Sequence, residues 1–306
     1  MKKNQQNLLP VGFYDLLFDE AEENHKKINL AIDYFLNCNY RLIKTPLVEF
    51  ADNFQDTNYF LLSDVISGKN MALRNDITLQ ISRLLNSRLR NEELPLRLCY
   101  VGDVLLTKSN ELYADRQSTQ LGIEIIGCDK DQSNLEIIYI ILQILPQILP
   151  KELLIEISLP NFLEILCQDL NIALSDDFID AVRQKNISTL QKLSGKNGGL
   201  LSEIVLQNNN LEELSQKILS QSNSPKIVQI LQRALEVNDL VGEKFPNIKI
   251  CFDLFGDNFN NSYHKDIAFD VFCKNFPYPI ARGGRYKINN IDAVGATIYM
   301  NYLRKL

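Results

Sequence analysis

The segment QSTQLGIEIIG alternates apolar and polar residues. Its aliphatic residues recur with period two, which predicts a strand with one apolar face: Leu121, Ile123 and Ile125. The opposite face carries Gln120, Gly122 and Glu124. Because an unpaired carboxylate is costly to bury, the alternation alone favours a half-exposed strand with a wet face. The alternative is that Gly122 leaves space for a small molecule against the backbone.

The pattern before this strand predicts two helices and two kinds of extended segment. Apolar residues at helical spacing indicate a first helix in 16–37 and a second that follows ALRNDIT. Between these helices, 40–50 is extended because Pro46 is incompatible with a helix interior. The segments 96–106 and 118–127 are joined by a polar loop, which predicts an antiparallel hairpin.

The pattern changes beyond residue 160, which divides the chain into three parts. Strands and helices mix in 1–160 and again in 246–306, whereas 161–245 is helical in pattern and rich in Gln, Asn and Ser. We therefore expect a core in two parts, 1–160 and 246–306, interrupted by a helical insertion at 161–245. Within the second part, RGGRY predicts a glycine turn before AVGATIYMNYLRKL.

Composition and charge exclude some classes of function. The 306 residues are 45% hydrophobic and 23% charged, which is typical of a globular protein. The formal net charge is −6 and the sequence pI is near 5.2, with no block of lysine and arginine. Nucleic-acid-binding proteins usually carry a basic surface that neutralises phosphates. We therefore expect no nucleic-acid partner.

Cysteine and histidine usage indicates neither a metal nor a cofactor. The six cysteines are far apart, without a Cys-x-x-Cys pair, and there are only two histidines. The N-terminus lacks the apolar stretch of a signal peptide, and the most apolar window, LEIIYIILQILPQIL, is too short for a membrane span. We expect a soluble cytoplasmic protein that does not bind membranes.

Taken together, a series of short segments resembles the catalytic core of histidyl-tRNA synthetase. The resemblance is closer to the non-catalytic relatives of that enzyme, the regulatory subunits of ATP phosphoribosyltransferase. In chain order the segments are LLPVGFYD, YRLIKTPLVEF, LRNDIT, RLCYVGDVLL, DRQSTQLGIEIIG, YHKDIAF, RGGRY and DAVGATIYM. The resemblance implies an α+β fold, the class II aminoacyl-tRNA synthetase-like antiparallel sheet flanked by helices, with a helical insertion.

The resemblance also implies a histidine-binding site on the strand described above. Asp76, Thr78 and Gln120 match the positions that hold the α-ammonium group, and Glu124 and Tyr263 match those that contact the imidazole. These residue types suit the ligand, since an ammonium group needs charge-assisted acceptors and both ring nitrogens need partners. The alternative is a remnant pocket that no longer binds. Three cations near the motifs are candidates for the ligand carboxylate: Arg74, Arg116 and Arg282.

The same comparison implies that adenylation chemistry has been lost. Synthetases neutralise the phosphates of ATP with arginines while charge develops. The positions expected to carry arginine hold other residues, namely Leu106, Ala114, Phe259 and Asn301 with Tyr302. The sequence also ends within the last core helix of the family, so we expect no anticodon-binding domain. No catalytic residues are therefore assigned.

The resemblance implies a regulatory subunit that joins a short catalytic ATP phosphoribosyltransferase chain in the first step of histidine biosynthesis, with histidine as an effector. The helix in 16–37 and the extended segment 40–50 match the dimer-forming motif, so we expect self-association within a hetero-oligomer. An active synthetase conflicts with the missing arginines. The remaining alternative is a stand-alone degenerate paralogue that binds an amino acid or a protein without aminoacylation.

Overall fold

A computed structural model of the protein describes residues 8–53, 58–108, 115–128, 132–206, 210–222, 224–255 and 267–306. The chain divides into two compact units. The first unit comprises Met1–Ile125 and Thr297–Leu306, and the second comprises Ile126–Ala296.

The first unit begins with an amphipathic helix, α1 (Phe18–Asn37), as the apolar spacing predicts. Its buried stripe consists of Ala31, Ile32 and Phe35. The helix ends where Asn39 adopts a positive φ of 65°, a left-handed conformation that commonly terminates helices. The next strand, β1 (Arg41–Ile43), pairs in parallel with β5 (Leu96–Leu105), which neighbours β6 (Gln117–Ile126). The predicted strands of the hairpin are thus confirmed.

A small antiparallel sheet and two helices complete the first unit. The strands β2 (Val48–Phe50), β3 (Leu61–Ser63) and β4 (Asn70–Leu73) lie in the order β2-β4-β3. The helix α2 (Thr78–Leu85) follows directly and buries Ile81 and Leu85. A short helix, α10 (Met300–Leu303), lies near the end of the sequence.

The second unit contains a mixed sheet with the strand order β11-β10-β9-β7-β8. β7 is antiparallel to β9 and parallel to β8, and β10 is antiparallel to β9. The strands are β7 (Leu153–Ser158), β8 (Lys249–Asp253), β9 (Ala268–Cys273), β10 (Pro279–Ile288) and β11 (Ile291–Tyr299). The apolar helix α3 (Gln132–Ile148) precedes them.

In the described part of the chain between β7 and β8, six helices follow one another, where the sequence predicts helical structure. They are α4 (Phe162–Asp169), α5 (Asp176–Arg183), α6 (Ile187–Ser194), α7 (Gly198–Val205), α8 (Leu211–Gln221) and α9 (Pro225–Lys244). Side chains cap several of them, as when Ser175 accepts a hydrogen bond from the Phe178 N–H at the start of α5. That 161–245 forms a domain inserted between 1–160 and 246–306 stays a prediction.

The expected glycine turn at RGGRY is wrong, because these residues lie inside the ten-residue strand β10. The reason for a glycine there is crowding by neighbouring strands. A Cβ on Gly283 would lie 2.5 Å from Cζ of Phe269 and 2.7 Å from the carbonyl oxygen of Gly295. Gly283 therefore allows close strand packing, which a sequence cannot distinguish from a turn.

Mixed strands and helices agree with the α+β class expected from the sequence. No helix in the described part of the chain combines the length and hydrophobicity that a bilayer crossing requires. Among the described residues, no three His, Cys, Asp or Glu side chains lie together in a way that could hold a metal ion.

Candidate ligand-binding site

Gln120 lies on β6 and is buried, with 3% of its surface exposed. Its Nε2 donates to Oδ2 of Asp76 over 3.0 Å, and its Oε1 accepts from the Ile77 N–H over 3.1 Å. The two contacts need opposite ends of the amide, so they fix the orientation of the side chain. Gln120 thereby holds the turn before α2 against the strand.

Asp76 and Thr78 form that turn. Oδ1 of Asp76 accepts from the Thr78 N–H over 2.8 Å, which is the local side-chain to backbone bond that aspartate commonly makes at a helix start. The Thr78 hydroxyl then donates to Oε1 of Glu124 over 3.1 Å. Glu124 is 2% exposed. One continuous network of hydrogen bonds thus joins the start of α2 to β6.

The half-exposed strand with a wet face that the alternation favours is wrong, since Gln120, Gly122 and Glu124 are all buried. The open space expected at Gly122 is also wrong. A Cβ there would lie 2.7 Å from Cε2 of Tyr100 and closer still to Cζ and the hydroxyl oxygen. Gly122 accommodates the Tyr100 ring from the neighbouring strand β5, so a ligand does not lie directly against it.

The Tyr100 hydroxyl is a central member of the network that sequence reasoning missed. It lies 2.8 Å from Oγ1 of Thr297, 3.3 Å from Oγ1 of Thr78 and 3.5 Å from Oε1 of Glu124. Glu124 and Thr78 are thereby connected to Thr297. The available signal was the position of Tyr100 within the RLCYVGDVLL segment, but the sequence does not give the cross-strand register that brings it over Gly122.

The site contains two carboxylates, Glu124, which is buried, and Asp76, which is partly buried. Burial raises the pKa of Asp76, against the opposing effect of the Gln120 and Thr78 hydrogen bonds. Burial raises the pKa of Tyr100 well above its usual value, and the charges of Glu124 and Asp76 add to the effect. A ligand cation would relieve this repulsion. The arrangement suits a small molecule with an ammonium group and further N–H donors.

Four of the five predicted ligand-binding residues therefore meet in one network in the first unit: Asp76, Thr78, Gln120 and Glu124. The fifth, Tyr263, lies outside the described residues, as do Phe259 and Ala114. That these residues bind histidine stays a prediction at this point.

The three candidate cations for a ligand carboxylate all have other partners. Nε of Arg74 donates to the Asp103 carbonyl oxygen over 2.6 Å, and Nη1 donates to the Thr45 carbonyl oxygen over 3.0 Å. Arg116 donates to the Leu106 carbonyl oxygen, and its guanidinium lies 4.9 Å from the centre of the Phe60 ring. In the second unit, Arg282 makes a bidentate pair with Asp270 at 2.8 and 3.0 Å.

Uncharged side chains occupy two positions where the resemblance implies phosphate-binding arginines. The Leu106 N–H donates to the Arg116 carbonyl oxygen over 2.8 Å. Asn301 accepts a short hydrogen bond from the Ser118 hydroxyl and donates to Oδ2 of Asp115 over 3.3 Å. The Asn301 amide is thus held by its own neighbours.

The opposite face of β5 and β6 borders a separate cavity of about 670 Å³ that sequence reasoning missed. Its lining includes Val101, Asp103, Gln117 and Thr119, which alternate with the residues of the network along the two strands. The Thr119 hydroxyl donates to Oδ1 of Asp103 over 2.6 Å. The network and this cavity therefore lie on different faces of the same strands.

Comparison with known proteins identifies the family. A family model described as histidyl-tRNA synthetase matches residues 12–303. An ATP phosphoribosyltransferase regulatory subunit from Thermoanaerobacter pseudethanolicus is 30% identical over 292 residues, covering 91% of this chain and 75% of that protein. The chain belongs to the ATP phosphoribosyltransferase regulatory subunits, within the histidyl-tRNA synthetase family.

Other regulatory subunits of this family extend the comparison. The one from Paramagnetospirillum magneticum is 27% identical over 304 residues, covering 96% of this chain and 80% of that protein. Among solved structures, an ATP phosphoribosyltransferase regulatory subunit/histidyl-tRNA synthetase from Bacillus halodurans superposes with a TM-score of 0.82 at 20% identity. It covers all of this chain and 84% of its own. This likeness confirms the fold that the sequence implies.

A chain of the ATP phosphoribosyl transferase complex from Thermotoga maritima has the same fold. It superposes with a TM-score of 0.69 at 19% identity, covering 90% of this chain and 97% of that chain. At this identity the likeness concerns the fold alone.

Proposed function

We propose that this chain is the non-catalytic regulatory subunit of an ATP phosphoribosyltransferase and that it binds histidine at the site formed by Asp76, Thr78, Gln120 and Glu124. The family relationship over almost the whole chain supports the regulatory role. The meeting of these four side chains in one partly buried acidic network is the observation that carries the proposal of a ligand.

The chemistry of histidine fits the two ends of the network. Its α-ammonium group brings three N–H donors and a positive charge, which complement the carboxylate of Asp76 and the Thr78 hydroxyl. Its imidazole brings a ring N–H that can donate a hydrogen bond to the carboxylate of Glu124. Binding would lower the pKa of Asp76 toward its ordinary value, since the ligand cation offsets the cost of burying that carboxylate.

The absence of synthetase activity is part of the proposal. Leu106 and Asn301 stand where the resemblance implies arginines, and neither can neutralise a phosphate. Removing one stabiliser of developing charge typically costs about 3 kcal/mol of barrier, so the loss of two or more abolishes useful adenylation. The internal contacts of Asn301 with Ser118 and Asp115 support a structural role for this position.

The partner that we propose is the catalytic ATP phosphoribosyltransferase chain. Relatives that match over most of this chain are named as regulatory subunits of that enzyme, which supports the assignment. A second copy of this chain is the other proposed partner. For this contact we propose a surface on the small sheet of the first unit.

One face of the small sheet is apolar and partly exposed among the described residues. Cross-strand partners share a face, and the pairs Phe50 with Met71, Leu62 with Met71 and Val48 with Leu73 all lie on this one. None of these five side chains is buried, and Phe50 is 43% exposed. We call them the apolar sheet face. Its strand β2 belongs to the segment 40–50 of the expected dimer motif, which supports self-association there.

Calorimetric titration with histidine tests the proposed ligand. The wild type is expected to bind, and Glu124→Ala is expected to bind about ten- to a hundredfold more weakly, because a hydrogen bond to a charged group contributes about 1.5–3 kcal/mol. Glu164→Ala is the matched control, since this exposed glutamate on α4 accepts a hydrogen bond from Gln168 of the same helix and lies in the second unit. Absence of binding by the wild type, alone and with the catalytic chain, would contradict the histidine site.

A further inference from the structure

Gln80 is a buried amide in the third position of α2, two residues after the site residue Thr78. It is 1% exposed. Its Oε1 accepts from the Thr45 hydroxyl over 2.6 Å, and its Nε2 donates both to the Pro46 carbonyl oxygen and to Oε1 of Glu49, each over 2.8 Å. These three bonds join the amide to the segment Thr45–Glu49.

Neighbouring side chains reinforce the same connection. Nη1 of Arg74 donates to the Thr45 hydroxyl oxygen over 2.9 Å and lies 3.4 Å from Oε1 of Gln80. Nε of Arg83 donates to the same Glu49 oxygen that Gln80 contacts, over 2.8 Å. The segment Thr45–Glu49 is thus attached to α2 by buried hydrogen bonds at both of its ends. Such bonds are expensive to break one at a time, because each leaves a buried group unsatisfied.

The attachment connects two regions that the sequence keeps apart. On one side is the turn that carries Asp76 and Thr78, which continues directly into the first turn of α2 through the Gln80 N–H to Ile77 carbonyl bond of 2.9 Å. On the other side is Glu49, which lies between Val48 and Phe50 of the apolar sheet face and points to the opposite side of the strand. Because Glu49 belongs to β2, a movement of β2 would strain or break the hydrogen bond between Glu49 and Gln80.

We propose that Gln80 is a positioning residue for the ligand site, which fixes the Asp76–Thr78 turn to the Thr45–Glu49 segment and so links that site to the apolar sheet face. The proposal rests on the proposed function for the identity of the ligand and of the association surface. It goes beyond that function because Gln80 touches neither. Association at the sheet face and affinity at the ligand site are then coupled, with Gln80 as a main link between them.

Amide hydrogen exchange, measured by NMR without ligand, tests the positioning role directly. The reporters are the Ile77 N–H, which donates to Gln120, and the Thr78 N–H, which donates to Asp76. Gln80→Met keeps a similar volume and removes every bond described above. Exchange at both amides is expected to accelerate about tenfold relative to the Ile123 amide in β6, which reports global opening. Equal acceleration at all three would mean a merely structural role and overturn the proposal.

A second pair of variants perturbs the other end of the link. Thr45→Val removes the hydroxyl that donates to Gln80 and is expected to accelerate exchange at Ile77 and Thr78. Thr119→Val is the matched control, because it removes an equally short bond, to Asp103, on the opposite face of β6. The double variant of Thr45→Val with Gln80→Met should add little to either change, since both break the same connection. Additive effects, or the same effect from Thr119→Val, would contradict the link.

Histidine affinity then separates this inference from the proposed function. The Gln80→Met variant is expected to bind histidine about tenfold more weakly than the wild type. If the wild type binds histidine and the Gln80→Met variant binds it with the same affinity, the inference is overturned and the proposed function stands. Failure of the wild type to bind would contradict the proposed function, while the exchange measurements would still decide whether Gln80 positions the turn.

Discussion

The contact between Gly122 and Tyr100 gives a test in which one added methyl group should disturb the whole network. In Gly122→Ala the new Cβ overlaps the phenol ring of Tyr100, which is 1% exposed and has no room to move freely. Overpacking of this kind costs about 1–3 kcal/mol of stability. The ring must shift, and its hydroxyl then moves away from Thr78, Thr297 and Glu124. We expect histidine binding to weaken as well.

A matched control is available because another glycine is unobstructed. Gly242 lies in α9, and a Cβ there would meet nothing within 4 Å. Gly242→Ala should therefore raise the free energy of unfolding by about 0.5–1 kcal/mol, since alanine is the better helix former. Urea unfolding of both variants measures the contrast.

A second substitution, at Tyr100, completes the test as a double-mutant cycle. Tyr100→Leu removes the very atoms that the added methyl overlaps, so Gly122→Ala should cost less in that background than alone. We expect a favourable coupling energy of about 1 kcal/mol or more between the two sites. If Gly122→Ala proves as harmless as Gly242→Ala, or if the two changes are additive, the close contact that we describe does not exist in solution.

Three further outcomes follow from the same structure. Since burial raises the pKa of Asp76, its contribution to stability is fully present below its unfolded pKa and declines as pH rises through its folded pKa. The unfolding free energy of the wild type relative to Asp76→Asn should therefore fall as pH rises above about 4, the ordinary pKa of an aspartate. Phe50→Asp should shift sedimentation from dimer toward monomer by charging the apolar sheet face, whereas Val228→Asp, at a similarly exposed site on α9, should not. The chain should catalyse no histidine-dependent exchange of pyrophosphate into ATP, because the expected arginine positions carry Leu106 and Asn301.

For each of these three predictions, a specific result would contradict it. A difference in unfolding free energy that is independent of pH would mean that burial does not raise the pKa of Asp76. A wild-type monomer at all concentrations, or a Phe50→Asp variant that remains dimeric, would remove the sheet face as the association surface. Exchange well above the rate without protein would show that adenylation survives.

Which side chains of the candidate site meet was predictable partly from local spacing and partly from the family resemblance. Period two put Gln120 and Glu124 on one side of a strand, and the resemblance added Asp76 and Thr78 from the start of a helix. Predicting that these side chains meet required only that the fold be that of the family. The network that joins them was predictable to this extent.

The failures involve contacts between segments that are distant in the sequence. Whether Gly122 faces open space or the Tyr100 ring depends on the register of β6 against β5. That register cannot be read from a single sequence. Gly283 was misread for the same reason, since its crowding comes from Phe269 and Gly295 on other strands. The buried contacts of Gln80 were not predictable, because an amide on a helix face is usually exposed to solvent.

Feedback in a reconstituted complex is the most direct measurement of the central claim. The chain is combined with the short catalytic ATP phosphoribosyltransferase chain from the same genome, and the formation of phosphoribosyl-ATP is followed as histidine is added. We predict that the two chains co-elute, that histidine inhibits the reaction, and that Glu124→Ala abolishes most of this inhibition while the complex remains assembled. Failure of the chains to associate, or inhibition that is unchanged by Glu124→Ala, would contradict a regulatory subunit that senses histidine at this site.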